Sequence, residues 1–195
     1  MPKKRIILAS ASPRRQELLK NAGIEFEVRA ASIDEVPHPG ESPVGFAERM
    51  AKEKARAVGT TASAGQVVLG ADTVVTIDNQ ILGKPEDKDD ALRMLRLLSG
   101  RKHEVITAVC LSGVNSSGKS FEDVRSAMTA VYFSQASEQD IREYVGSGEP
   151  MDKAGAYASQ GGAARWIRKI EGDYNNVVGL PVDLVLTMLR EHGVV

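Results

Sequence analysis

The chain has 195 residues, a net charge of −1, 42% hydrophobic and 26% charged residues, and few aromatics at 5%. That length suits one large domain or two closely joined lobes, and the balance is that of an ordinary globular protein. It excludes a polybasic footprint for bulk nucleic acid and favours an α/β core over an aromatic-rich binding surface.

At the N-terminus the basic segment Met1-Pro2-Lys3-Lys4-Arg5 is followed by Ile6–Ala9, an apolar run too short for a signal peptide and suited to a buried strand. Ser12 is a natural N-cap and Pro13 fits the first helical position, so a helix carrying Leu18, Leu19 and Ala22 is predicted up to Gly23. Ile24, Phe26 and Val28 alternate as a strand does, and the acidic, proline-containing Ser32–Glu41 reads as a loop. Ser42-Pro43 repeats the helix-start signal, with Val44, Ala47, Met50, Ala51 and Ala55 at helical spacing. Gln66–Ile77 is strand-like but interrupted by Asp72-Thr73, and Asp89–Leu98 is an amphipathic helix closed by Gly100.

His103–Leu111 and Ser126–Phe133 are β-rich and flank the polar turn Asn115-Ser116-Ser117-Gly118, as in a hairpin. Cys110, the only cysteine, falls in the first run and is expected to be a buried, inert thiol. Ser137–Val145 is a helix with Asp140 in a capping-box-like position, the stretch from Gly148 to Gly162 is polar and Gly-rich, Arg165–Ile170 is a strand, and Pro181–Leu189 is the last helix, ending by Gly193. The order predicts an α/β protein with a mixed sheet, one continuous fold with two lobes. No apolar segment approaches the ~20 residues of a membrane helix, so a cytoplasmic protein without membrane association is expected.

Four features carry chemistry. The strand-to-helix turn Ser10-Ala11-Ser12-Pro13-Arg14-Arg15 offers backbone N–H groups, a helix N-terminus, hydroxyls and guanidinium forks to an anion; the alternative is a capped helix with two solvated arginines. Asp72 lies in the apolar run Val67–Val75, which is costly unless the carboxylate is paired, bound to metal or at a strand end facing a cleft. A carboxylate there can hold Mg²⁺ or take a proton from an attacking water, or merely cap a turn, and the neighbouring Gly70 permits close backbone approach. Lys52, Lys54 and Lys84 stand beside breaks, Lys84 being fixed between Gly83 and Pro85, although each also reads as a solvated lysine. Gly148–Gly161 and Gly172–Pro181 read as ligand-lining loops or as irregular surface.

Gly113–Ser120 fits the P-loop pattern letter for letter, but the residues after Lys119-Ser120 turn β-like where a P-loop needs a helix, so the match is refused. His38, His103 and His192 show no zinc spacing.

In order, Ser10–Arg15, Asp34-Glu35, Lys52–Ala55, Gly70–Thr73, Gly83-Lys84-Pro85, Ser99–His103, Glu149–Tyr157 and Asn176–Pro181 closely resemble the Maf family of nucleoside triphosphate pyrophosphatases, over almost the whole chain. The resemblance implies hydrolysis of a nucleoside triphosphate between the α and β phosphates, with a divalent cation (Mg²⁺ or Mn²⁺), and a homodimer. It implies an elongated mixed β-sheet with flanking helices and two lobes around a cleft, similar to inosine triphosphate pyrophosphatases. By position, Asp72 resembles the proton acceptor, and Glu35 the nearby acidic residue with a role at the metal alongside Asp72. Ser10, Arg15, Lys54 and Lys84 match the phosphate-binding set.

Arg14, Thr73 and Gln160 resemble the branch that hydrolyses dTTP and UTP, although Ser159 departs from the usual apolar residue. A uracil or thymine edge presents two carbonyl acceptors and one N–H donor, which Arg and a Gln amide can meet. The alternatives are the 7-methyl-GTP branch, and a nucleotide-binding regulator of cell division in which hydrolysis is incidental.

Overall fold

A computed structural model describes residues 5–62, 65–114 and 118–195. Among them, β1 (Arg5–Leu8), β2 (Phe26–Val28), β3 (Gln66–Ile77), β4 (Gln80–Leu82), β5 (Lys102–Val114), β6 (Ser120–Phe133) and β7 (Ile167–Glu171) form one sheet in the order β2-β1-β3-β5-β6-β7, with β4 on β3. β1 runs parallel to β2 and β3, whereas β4 is antiparallel to β3 and β7 to β6, so the sheet is mixed as expected. The helices are α1 (Pro13–Asn21), α2 (Pro43–Gly59), α3 (Lys88–Leu98), α4 (Glu138–Gly146), α5 (Tyr174–Val178) and α6 (Val182–Glu191).

The helix starts follow from local chemistry. The hydroxyls of Ser12, Ser42 and Ser137 accept from the N–H groups of Arg15, Gly45 and Asp140, which satisfies donors that the first turn leaves unpaired. Pro13 and Pro43 each stand where the missing N–H is no loss.

Two compact units divide the chain. The first takes the described residues of Met1–Asp72, Thr107–Ala127 and Gly179–Val195, and the second takes Thr73–Ile106 and Met128–Val178. In the first, Ile6 and Leu8 of β1 and Val67, Leu69 and Ala71 of β3 share a core with Leu19 of α1 and Val185, Met188 and Leu189 of α6. Also within this unit, α2 lies so close to β3 that a Cβ on Gly70 would stand 2.2 Å from the Ala51 carbonyl oxygen. In the second unit, Val75, Ile77, Val131 and Phe133 pack with Ala91, Leu95 and Leu98 of α3 and with Tyr144, Tyr157 and Trp166.

Several expectations change. β3 is continuous: Asp72 sits in its interior and does not interrupt the strand, because the carboxylate has a cationic partner. The Gly-rich stretch after Gly148 is partly core, with short 3-10 turns at Glu149–Asp152, Ala154–Ala156 and Gly162–Trp166 and with Ala156, Tyr157 and Ala163 buried. The last of these turns delays the strand expected at Arg165, which starts at Ile167. Gly172–Pro181 holds the short helix α5.

Strand β4 was not anticipated. Asp78 and Asn79 both adopt positive φ, 50° and 64°, which makes the tight turn that joins it to β3. Strands β5 and β6 extend beyond the predicted runs, and the hairpin turn expected at Asn115-Ser116-Ser117 lies outside the described residues, as does the basic Met1–Lys4. Ser120 opens a strand, as the refusal of the P-loop required. Cys110 is fully buried and its thiol is pushed up to about 12, chiefly by burial, so it is protonated and inert.

Candidate active site

The first unit holds six of the nine predicted site residues: Ser10, Arg14, Arg15, Glu35, Lys54 and Asp72. Asp72 projects from the interior of β3, and Lys54 reaches it from α2, with Nζ 2.6 Å from Asp72 Oδ1. The same Nζ lies 2.6 Å from Glu35 Oε1, in the loop before α2. Two carboxylates therefore share one ammonium, in surroundings where the Lys54 and Asp72 side chains are only 10% and 9% exposed. Burial pushes the Asp72 carboxyl above its ordinary value, and Lys54 and then Arg15 oppose that shift.

Gly70 explains how α2 comes near enough. Its missing Cβ lets the backbone around Ala51 and Ala55 lie directly on β3, and Lys54 sits between those residues on the helix.

Arg15 is buried within the opening turn. Its Nε donates to the Gly179 carbonyl at 2.8 Å, and Nη1 donates to the Ala71 carbonyl at 2.9 Å and to Ser10 Oγ at 3.0 Å. The guanidinium thus ties α1 to β3 beside Asp72 and to the chain entering α6. Burial lowers its pKa, and Asp72 and Glu35 counter that effect. Ser10 Oγ also accepts from the Ser12 N–H at 3.3 Å, and neither bond uses its hydroxyl proton. Arg14 is half-buried in the first turn of α1.

The charges of Arg15 and Lys54 balance those of Asp72 and Glu35. Arg15, Lys54 and Asp72 can therefore be buried while Glu35 stays exposed, but the group has no positive surplus for a polyanion. Oxygen-only ligation by two carboxylates fits a hard cation such as Mg²⁺, which characteristically takes one or two carboxylates and completes its shell with phosphate and water oxygens. Among the described residues, no group of three or more His, Cys, Asp or Glu side chains is placed to hold a metal ion.

Thr73, Lys84 and Gln160 belong to the second unit. Thr73 follows Asp72 on β3. Lys84 is exposed in the segment between β4 and α3, which is anchored by the Gly155 N–H donating to the Gly83 carbonyl at 3.0 Å. Gly155 itself has a φ of 66° and leaves no room for a side chain, since a Cβ would stand 2.8 Å from the Val75 side chain. Gln160 is exposed at the head of a turn closed by the Gly161 N–H donating to the Ala158 carbonyl at 3.3 Å.

Two supports escaped sequence reading. Arg49 on α2 grips both oxygens of Glu41, each at 2.7 Å, and donates to the Val36 carbonyl at 2.9 Å, which holds the loop that carries Glu35. Glu149 and Tyr144 bracket the Gln160 turn. Glu149 lies inside a stretch already singled out, but nothing in its spacing tells which way the carboxylate faces.

The Maf-like protein family model matches residues 5–192. The chain belongs to the Maf family. It is 53% identical over 188 residues to the dTTP/UTP pyrophosphatase of Geobacter sp. (strain M21), covering 96% of this chain and 95% of that one. It is 50% identical over 193 residues to the dTTP/UTP pyrophosphatase of Geobacter sulfurreducens, covering 99% of each. Among solved structures, the Maf-like chain is similar to a HAM1 protein from Coxiella burnetii, with a TM-score of 0.50 and 18% identity over 96% of this chain and 99% of that one. It is also similar to the Staphylococcus aureus Ham1 protein, with a TM-score of 0.50, 12% identity and the same coverage. At those identities the likeness is one of fold. No helix among the described residues is long and apolar enough to cross a membrane.

Proposed function

We propose that this Maf-like protein is a nucleoside triphosphate pyrophosphatase that hydrolyses dTTP and UTP to the monophosphate and pyrophosphate. The observation that carries the chemistry is the sharing of Lys54 by Asp72 and Glu35 beside the strand-to-helix turn. Full-length relatives at about half identity named dTTP/UTP pyrophosphatase support the substrate.

In this reading Glu35 and Asp72 would hold a divalent cation, Mg²⁺ or Mn²⁺, which when bound supplies charge neutralisation on the phosphate oxygens. Lys54 leaves the carboxylates for the phosphates as substrate enters, which exposes Asp72 to the attacking water. Asp72 then takes one proton from that water as its oxygen forms the new bond to phosphorus and the α–β anhydride P–O bond breaks. The electron pair of that bond leaves with the departing phosphate oxygen. Ser10 gives a hydroxyl hydrogen bond to the phosphates, Lys84 a point charge, and Arg15 a buried positive potential that also fixes Ser10. No covalent nucleophile is needed, which accords with the inert Cys110.

Arg14, Thr73 and Gln160 read the base. A glutamine amide both donates and accepts, and so suits the mixed edge of uracil or thymine, whereas a carboxylate would only accept. The same reading extends to a cytoplasmic homodimer that cleans the nucleotide pool. Side-by-side kinetics on UTP and 7-methyl-GTP test the substrate assignment. Preference for UTP is expected, and a higher kcat/KM for 7-methyl-GTP would overturn it.

A further inference from the structure

The Gln160 turn is held from below by two side chains that no substrate role has claimed. Glu149 stands on the 3-10 turn Glu149–Asp152, and its carboxylate lies against the turn's exit. Oε1 and Oε2 accept from the Gly162 N–H at 3.1 and 3.2 Å, and Oε1 also accepts from the Tyr144 hydroxyl at 2.9 Å. The Tyr144 oxygen in turn accepts from the Ala158 N–H at 3.4 Å, at the turn's entrance.

The carboxylate occupies the space beside Gly161 so completely that a Cβ there would lie 1.8 Å from Oε1. Tyr144 is buried and set edge-on to Trp166 at 5.4 Å, so its hydroxyl has little freedom to move. Glu149 is likewise fixed through its backbone, where its N–H donates to Ser147 Oγ and its carbonyl accepts from Lys153 Nζ at 2.7 Å. Ala158 and Gly162 are therefore both pinned, and the exposed Gln160 is carried between them.

We propose that Glu149 and Tyr144 are positioning residues for base selection, which present the Gln160 amide in one orientation through hydrogen bonds to the turn that bears it. The inference rests on Gln160 reading the base. Two or three hydrogen bonds to one carboxylate are enough to set a turn, and a side chain that must choose between donating and accepting needs a fixed direction. A charged acceptor also holds backbone N–H groups more strongly than a neutral one.

The test compares Glu149→Ala, Glu149→Gln, Tyr144→Phe and Gln160→Ala on UTP, on ATP as a purine competitor, and on inorganic tripolyphosphate as a competitive inhibitor. Glu149→Ala and Tyr144→Phe should raise KM for UTP by about tenfold and about threefold, with kcat nearly unchanged and tripolyphosphate inhibition unmoved. Preference for UTP over ATP should shrink in step. Glu149→Gln, which keeps one acceptor oxygen, should recover part of the loss.

The double variant Glu149→Ala/Gln160→Ala should be no worse than Gln160→Ala alone, because the turn then has nothing to present. If Gln160→Ala leaves UTP preference intact, the base-reading assignment beneath the proposal fails. If Gln160→Ala changes preference while the folded Tyr144→Phe and Glu149→Ala variants match the parent, the positioning role is overturned. A loss that falls on kcat and on tripolyphosphate binding alike, or that adds fully to Gln160→Ala, would equally overturn it by showing a general structural effect.

Discussion

Lys54 Nζ lies 2.6 Å from Asp72 Oδ1, across the contact between α2 and β3. The pair explains how a carboxylate can occupy the interior of an otherwise apolar strand. In the proposed mechanism Lys54 is also the resting partner that leaves before Asp72 takes a proton. Replacing Asp72 by Asn should lower kcat by about 10²–10⁴-fold while KM changes little. The fold should survive, because Lys54 retains Glu35. Steady-state kinetics with a thermal melt will separate the two effects.

Removing the ammonium instead leaves Arg15 as the remaining cation beside Asp72 and Glu35. Lys54→Met should melt earlier than the parent in metal-free buffer, as expected when one partner of a largely buried ion pair is deleted. Millimolar Mg²⁺ should then raise its melting temperature more than that of the parent, since a ligand that binds only the folded state stabilises it. Equal Mg²⁺ responses in the two proteins would argue against a metal between these carboxylates.

Gly70 sets the distance at which α2 meets β3. A Cβ there would stand 2.2 Å from the Ala51 carbonyl oxygen and 2.8 Å from the Ala55 nitrogen, both backbone atoms with little freedom to yield. Gly70→Ala should cost about 1–3 kcal/mol, the usual range for overpacking. Lys54 rides on the displaced helix, so activity should fall further than the lost stability accounts for at a temperature where the variant is folded. Denaturant unfolding alongside kcat measurement checks both parts.

Arg49 acts on the other carboxylate. Its fork on Glu41 holds the Glu41 carboxyl at about 2, chiefly through the hydrogen bonds from Arg49, and its bond to the Val36 carbonyl fixes the residue next to Glu35. Lysine cannot make this two-pronged contact. Arg49→Lys should raise the Mg²⁺ concentration for half-maximal activity severalfold with little change in kcat at saturating metal, as read from a Mg²⁺ titration.

His103 gives the second unit a pH dependence of stability. It is buried against Phe133 and Tyr157, with Nε2 2.7 Å from the Tyr157 hydroxyl, and burial pushes its pKa down to about 4 from the ordinary 6.5. The unfolded chain therefore binds the proton more readily than the folded one between those values. Stability should be fully present above about pH 6.5 and fall by about 1.4 kcal/mol per unit as pH drops toward 4. Urea unfolding across that range, repeated with His103→Gln, should show this part of the slope vanish in the variant.

Much of this was legible in the sequence because it is written locally. Ser12-Pro13, Ser42-Pro43 and Ser137 cap their own helices, and the apolar run at Ile6–Leu8 suits the buried strand it forms. The unbroken course of β3 was not legible, since the cation that makes Asp72 tolerable comes from another element, 18 residues away in the chain. The core role of Ala156, Tyr157 and Ala163 was hidden by glycines that serve close packing, as Gly155 does against Val75. Helix α5 spans five residues, too few for a periodic signal. At the site, residue types pointed to phosphate and metal chemistry, but the commitment of Arg15 to the Gly179 and Ala71 carbonyls required three-dimensional neighbours.

Phosphorus NMR of the products formed from UTP with Mg²⁺, for the parent and for Asp72→Asn, tests whether Asp72 drives cleavage between the α and β phosphates. The parent should give UMP and pyrophosphate in equal amounts, and the variant almost none. UDP with orthophosphate, or an undiminished rate in Asp72→Asn, would contradict this assignment.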